Sequence, residues 1–267
     1  MSAGCAPDGD AALARAAQDI WSAVAPLMPG LTVEVVPELD STNTELMRRA
    51  RAGAMEPVLL IAQRQTAGRG RLGRAWQGRA GDSLTFSLGL PLAPVDWSGL
   101  SLVVGIGLAE ALHPDIRLKW PNDLWLHERK LAGILIETGG TGGEGARFTV
   151  IGVGINIARP PLDQVTTAPA WLRELLPQAD AGWTLRRIAQ PLVQTVQRFE
   201  REGYAAAFRA RFAARDLLYG RQLTLSDGTS GIGAGTDGRG GLLVHTAGAV
   251  KTIVSSEVSV RPAPRHP

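Results

Sequence analysis

Residues 11–28, AALARAAQDIWSAVAPLM, repeat apolar positions at the three- and four-residue spacing of a helix. Leu13, Ala17, Ile20, Trp21 and Val24 fall on one face, and Pro26 and Pro29 end the run. LTVEVVPEL (31–39) alternates and predicts a strand. Thr42-x-x-Glu45 fits a capping box that opens a helix over 43–52, with Gly53 as its stop. PVLLIAQ (57–63) predicts a buried strand, and DSLTFSLGL (82–90) alternates again. A helix rich in small residues follows from about 99 to 113. Strands then fall near 116–120, 123–127, 131–138 and 147–157, and the short connection LHERKL predicts a hairpin. Residues 184–214 read as helical, rich in Arg and Ala.

The pattern changes after Tyr219. Four or five short β runs are separated by Asp-Gly at 227–228 and 237–238 and by Ala-Gly at 247–248, dipeptides suited to tight turns. The expected organisation is a domain at 1–218 and a small β-barrel at 219–267. Length agrees: 267 residues, at about 150 per domain, make one large unit plus something small.

Composition narrows the function. Apolar residues make up 45% and charged residues 20%, enough to bury a core. The 28 Lys+Arg against 25 Asp+Glu leave only +3, which argues against a general polycationic nucleic-acid binder but permits a local basic site. With Cys5 alone, no disulfide or multi-cysteine zinc site can form within the chain, and His113, His127, His245 and His266 are far apart. No metal site fixed by the protein is expected. No charge-free run reaches the ~18 residues of a membrane span, and the first residues lack a secretory pattern. A cytoplasmic protein with no membrane or nucleic-acid partner is the expectation.

Three segments carry chemistry. GRGRLGRAW (68–76) matches G-x-G-x-x-G, but arginines fill the spacers and a second strand, not a helix, follows, so a dinucleotide fold does not fit. No kinase HRD or DFG segment appears, and no phosphate-loop G-x-x-x-x-G-K-[ST]. Five arginines and no acid lie between Arg64 and Arg79. Glycines let backbone N–H groups approach an anion, and guanidinium forks hold phosphate or carboxylate. A solvated basic loop and a nucleic-acid contact are the competing readings.

KWPNDLWL (119–126) and KLAGILIE (130–137) place Lys119, Asn122 and Asp123 at a turn and Lys130 at the mouth of a central strand, facing an anion in a partly desolvated site. For Lys130 by itself, a solvated turn lysine is the alternative. IGVGINI (151–157) sets Gly152 and Gly154 on one strand face, a flat wall for a ligand or for a packed helix, and ends on Asn156.

Together with Ser41-Thr42-Asn43 and Gln65, these segments resemble biotin protein ligases in order and approximate spacing. The resemblance implies an α+β fold: a class II aminoacyl-tRNA-synthetase-like mixed β-sheet with flanking helices, plus a small C-terminal SH3-like β-barrel. It implies ATP, Mg²⁺ and biotin as ligands, biotinyl-5′-AMP as intermediate and a lysine of a biotin carboxyl carrier protein as acceptor. By the same resemblance Ser41, Thr42, Asn43, Gln65, Gly68, Arg69, Arg71, Lys130, Gly133 and Gly152 bind biotin. Arg69, Arg74, Trp76, Asn122 and Asn156 face the nucleotide, with Trp76 over adenine. Lys130 and Arg71 act in catalysis, with Asp123 orienting Lys130 or a magnesium ion. Some relatives carry an N-terminal helix-turn-helix, and the roughly 30 residues before the first strand here are too few for that unit. The expected assembly is a monomer or homodimer. A lipoyl or octanoyl transferase of the same fold and a non-catalytic biotin-binding regulator are the alternatives.

Overall fold

The computed structural model describes residues 8–262 apart from 77, 142–144, 161–167, 227 and 255–259. Cys5, His266 and the first residue of the expected 227–228 turn lie outside the described residues.

The chain runs α1 (Asp8–Val24), β1 (Thr32–Leu39), α2 (Thr42–Arg51), β2 (Val58–Gln65), β3 (Ser83–Leu92), α3 (Leu100–Leu112), β4 (Arg117–Lys119), β5 (Asp123–Leu126), β6 (Arg129–Thr141), β7 (Arg147–Asn156), α4 (Ala181–Ala207) and α5 (Arg209–Ala213). These seven strands form one sheet in the order β1-β2-β3-β7-β6-β5-β4. Only β1 and β2 pair in parallel, with α2 as their crossover; every other pair is antiparallel. The sheet is therefore mixed, as expected.

The two faces of the sheet differ. On one, Leu84, Phe86, Leu88, Leu90 and Leu92 of β3 enter the main core beneath α1, α3 and α4. On the other, Ser83, Thr85 and Ser87 alternate with them and are also buried. The alternation in β3 is thus between large apolar and small polar side chains, because this strand lies mid-sheet. A second, smaller core of Leu46, Met47, Ala50, Val58, Leu60, Phe148 and Val150 seats α2 on that face. Beyond the first turn of α2 the sheet is floored by Ser, Thr and Gly.

Local details depart from sequence expectation in three places. In α1 the buried stripe is Leu13, Ala16, Ile20 and Val24; Trp21 is 45% exposed at the rim, its Nε1 donating to Leu31 O at 3.1 Å. The cap of α2 is Ser41, in extended backbone, whose Oγ accepts from Thr44 N; Glu45 instead pairs with Arg48 and Arg49. The long C-terminal helix breaks at Gly203, where φ is +69, and again at Phe208. Between β5 and β6, His127 and Glu128 both take positive φ, the geometry of a two-residue hairpin turn.

Five further strands, β8 (Gln222–Leu225), β9 (Ser230–Thr236), β10 (Leu242–His245), β11 (Val250–Ile253) and β12 (Val260–Pro262), form a second antiparallel sheet in the order β11-β10-β9-β8-β12. Leu223, Leu225, Leu242, Val244 and Ile253 belong to the same buried cluster as α3 and α4. Trp120 Nε1 donates to Gly240 O at 2.9 Å, and Tyr204 Oη meets Thr236 Oγ1 at 2.7 Å.

Asp216 sits at the entry to this second sheet. Burial pushes its carboxyl up to about 6, and Oδ2 meets no partner. A carboxyl that binds its proton more tightly when folded contributes most below its unfolded value, and that contribution is lost as pH rises through about 6. Asp216→Asn is expected to raise Tm at pH 8 by on the order of 5 °C. The gain should vanish near pH 4. A pH-independent difference between the two melting curves would contradict this account.

Candidate active site

The open part of the small-residue face is bounded by the N-terminus of α2, the glycine-arginine loop and the ends of β5, β6 and β7. Ser41, Thr42 and Asn43 are all buried there. Extended backbone at Ser41 turns the chain into the helix. Because Oγ of Ser41 accepts from Thr44 N, its hydroxyl hydrogen is left to donate. Gln65, at the end of β2, takes Thr42 N on Oε1 at 2.7 Å and lies 3.1 Å from Thr42 Oγ1. Its Nε2 is thereby turned toward Gly68, where a Cβ would sit only 2.8 Å away.

Residues 68–76 fold as a small hairpin. Trp76 N donates to Gly68 O and Gly70 N to Arg74 O, and Arg69 bridges to Ala75. The tip is a 3-10 turn at Arg71–Gly73, with Leu72 and Gly73 at positive φ. Gly68 admits no side chain, since its Cβ would lie 2.4 Å from Trp76 O. Arg69 pairs with Glu137 of β6 at 2.5 Å. Arg71 reaches inward, its Nη1 donating to Asn122 Oδ1 at 3.2 Å. Burial holds the Arg71 guanidinium below its ordinary value, and Arg74 adds to that, against the pull of Asp123. An anion arriving at Arg71 would meet a poorly solvated cation, the condition under which charge pairing is strongest. Arg74 itself is exposed.

Trp76 lies flat on the sheet. A Cβ on Gly154 would fall 2.3 Å from its ring, and one on Gly133 would fall 3.5 Å from it. Its Nε1 is buried and meets no acceptor. Gly154 therefore seats the indole, while the neighbouring Gly152 faces Asn43, whose Oδ1 would be 2.0 Å from a Cβ there.

The cationic end is built by a turn. The peptide between Trp120 and Pro121 is cis. Asn122 Nδ2 donates to Ile134 O at 2.7 Å, and Ile134 N to Asn122 O at 3.0 Å, so Asn122 is tied back to β6. Asp123 and Lys130 face each other with Nζ 2.8 Å from Oδ1, a charge contact rather than an aligned hydrogen bond. Lys130 lies close to Gly133, 3.4 Å from a Cβ built there. Its backbone is fixed on both sides by Ala168 O and Ala170 N. Asn156, buried at the end of β7, donates to Ala170 O at 2.9 Å and to Lys130 O at 3.4 Å, so its amide nitrogen faces protein rather than solvent.

The structure brings part of the expected set together: Thr42, Asn43 and Gln65 join in one polar cluster, Trp76 lies over Gly154 and beside Gly133 and Lys130, and Arg71 meets Asn122, whereas Arg74 is exposed, the Asn156 amide turns into the protein and Lys119 lies over the Trp125 ring. Sequence reading passed over Ser87 and Glu137. Ser87 Oγ lies 2.7 Å from Thr42 Oγ1 and 2.6 Å from Asn43 Oδ1, and Glu137 accepts from Asn43 Nδ2 at 2.9 Å. The available signal was Ser83, Thr85 and Ser87 at every second position of an otherwise apolar strand.

Residues 35–156 match the Biotin/lipoate A/B protein ligase family. The Bifunctional ligase/repressor BirA of Escherichia coli (strain K12) is 37% identical over 248 residues, covering 88% of this chain and 76% of that protein. The Biotin--[acetyl-CoA-carboxylase] ligase of Paracoccus denitrificans is 32% identical over 238 residues, 82% of this chain and 96% of that protein. A solved biotin protein ligase from Aquifex aeolicus, in complex with biotin and ATP, superposes with a TM-score of 0.72 at 28% identity, over 86% of this chain and 99% of that one. Fold and likeness agree, and the chain belongs to the biotin/lipoate A/B protein ligase family, within its biotin protein ligases.

Proposed function

We propose that the chain is an ATP-dependent biotin protein ligase. A biotin carboxylate oxygen attacks the α-phosphorus of ATP; that P–O bond forms, the bond to pyrophosphate breaks, and biotinyl-5′-AMP results. An ε-amine of a biotin carboxyl carrier protein then attacks the acyl carbon. The C–N bond forms, AMP leaves with the C–O electrons, and the amine loses a proton.

One observation carries this reading: a buried polar cluster fit for a urea ring and a pair of cationic side chains fit for phosphate stand on either side of Trp76 on the small-residue face of the sheet. Ser41, Thr42, Asn43 and Gln65 supply the cluster. Gly152 lets Asn43, rather than the ligand itself, lie against the sheet, and Gly133 leaves room beside Lys130 and Trp76. The first step brings two anions together, so the site must hold positive charge where negative charge grows. Arg71 and Lys130 supply it, with Asp123 steering the lysine. Arg69 and Arg74 flank the nucleotide side, and Asn122 and Asn156 hold its wall in place. Among the described residues no group of three His, Cys, Asp or Glu could hold a metal ion. Mg²⁺ would arrive on the ATP phosphates and add to the same screening.

The five antiparallel strands after residue 218 support a further division, with 1–218 as the catalytic unit and 219–267 as an SH3-like barrel. A cytoplasmic setting fits a reaction that consumes ATP. Among the described residues no helix is long and apolar enough to cross a membrane.

The test is to mix the chain with ATP, Mg²⁺ and biotin and look for biotinyl-5′-AMP by mass spectrometry. Its formation, and its loss on adding a carrier domain, are expected. Absence of adenylate at saturating substrates would refute the reading. Within it, Trp76→Ala is expected to weaken ATP capture in the presence of biotin by about tenfold, as stacking on a base is worth roughly 1–3 kcal/mol. Unchanged ATP binding would make Trp76 a packing residue only.

A further inference from the structure

Glu137 projects from β6 on the small-residue side of the sheet, where most neighbouring positions are glycine or apolar. Its carboxylate meets Arg69 on both oxygens at 2.5 Å and takes Asn43 Nδ2 at 2.9 Å. We infer that Glu137 is a positioning residue that sets the direction of a hydrogen-bond chain through Asn43 and Ser87 to Thr42, so that Thr42 Oγ1 faces a ligand as an acceptor.

The chain follows from counting hydrogens. A carboxylate paired with a guanidinium only accepts, and the carbonyl of Leu135, 3.2 Å from Asn43 Nδ2, also only accepts. The Asn43 amide must therefore turn its NH₂ to both of them, and its Oδ1 away. That oxygen lies 2.6 Å from Ser87 Oγ, a contact that needs the Ser87 hydrogen between them. Ser87 has no second hydrogen. Ser87 Oγ is also placed to donate to Thr42 Oγ1 at 2.7 Å, but with its one hydrogen held by Asn43 that contact is filled by the Thr42 hydroxyl, which turns to it from Gln65 Oε1, the acceptor it otherwise reaches at 3.1 Å. Gln65 Oε1 already holds Thr42 N. With its hydrogen spent on Ser87, Thr42 Oγ1 keeps lone pairs for a ligand. A donor such as a ring N–H is the group it can take.

This inference rests on the biotin reading, because a cyclic urea brings N–H donors to that cluster. Glu137→Gln keeps the shape but offers Asn43 either an oxygen or an NH₂, so the amide can flip and the direction of the chain is lost. Biotin affinity should fall roughly tenfold or more, as expected for one misdirected buried hydrogen bond. The melting temperature should change little, whereas a merely structural glutamate would lower it.

The decisive measurement is a double-mutant cycle on biotin binding with Glu137→Gln, Ser87→Ala and both together. Residues 137 and 87 lie on strands separated by β7, and Ser87 bonds to Thr42 and Asn43 rather than to Arg69, so release of the arginine does not couple them. The double variant is expected to bind about as weakly as the weaker single variant. Losses that multiply, or biotin affinity in Glu137→Gln within twofold of wild type, overturn the inference and leave the biotin reading standing. A wild-type chain that does not bind biotin overturns both.

Discussion

Lys130→Ala is expected to slow biotinyl-adenylate formation by about 100- to 1000-fold, the typical cost of removing one preorganised contact to developing charge. Biotin affinity should move only a few-fold. The reason lies in where the charge sits. Nζ stands beside Gly133 at the cationic end, away from the polar cluster, and its contact with Asp123 is not an aligned hydrogen bond. Its donors can therefore turn to a phosphoryl group. The anionic attack on phosphorus concentrates more charge than either substrate brings, so the lysine contributes most at that point. Single-turnover measurements with excess enzyme separate this from binding. A variant with wild-type single-turnover rate would remove Lys130 from the chemistry, and an equal loss in biotin affinity and rate would make it a binding residue.

Gly152→Ala should damage both stability and biotin binding while adding a single methyl. The new carbon would stand 2.0 Å from Asn43 Oδ1 and 2.8 Å from Cγ. Asn43 is 3% exposed and bonded to Ser87, Leu135 and Glu137, so it cannot swing aside without leaving partners unpaired. Each buried group left unsatisfied costs about 1–3 kcal/mol. The expected result is a fall in Tm on the order of 5–10 °C with biotin binding weakened at least about tenfold. Gly248→Ala, which meets nothing within 4 Å, serves as the control. Calorimetry of both variants with and without biotin decides it, and a Gly152→Ala protein matching the control would show that Asn43 yields freely.

The alternating and helical runs were legible before the fold was known, because each follows from a local period. The glycine-arginine loop and the Lys130 strand were legible because those residue types are costly without a purpose. What escaped notice depends on partners distant in sequence. Ser41 and Thr42 are both competent caps, and the choice turns on which oxygen reaches Thr44 N. Trp21 fits the apolar face of α1 by period, yet its ring stays at the rim, where Nε1 reaches Leu31 O. Glu137 stood in a quoted motif but gained meaning only when β6 came beside α2 and the loop. The single core shared by α3, α4 and the second sheet was likewise hidden, since strand composition does not say what a strand packs on.

The position of α4 has a consequence in time. It covers the same sheet face as α1, and Gln197 Nε2 donates to Leu27 O, 170 residues back. The large apolar side chains of β3 are synthesised long before that helix. At about 5–20 residues per second on the ribosome, the stretch from Leu92 to Ala207 takes on the order of ten seconds. For most of that interval α1 and α3 alone are available to cover this face, and the part that α4 occupies stays open. The earliest hazard for this protein is thus one of scheduling: the core of its large sheet cannot close until α4 has been made.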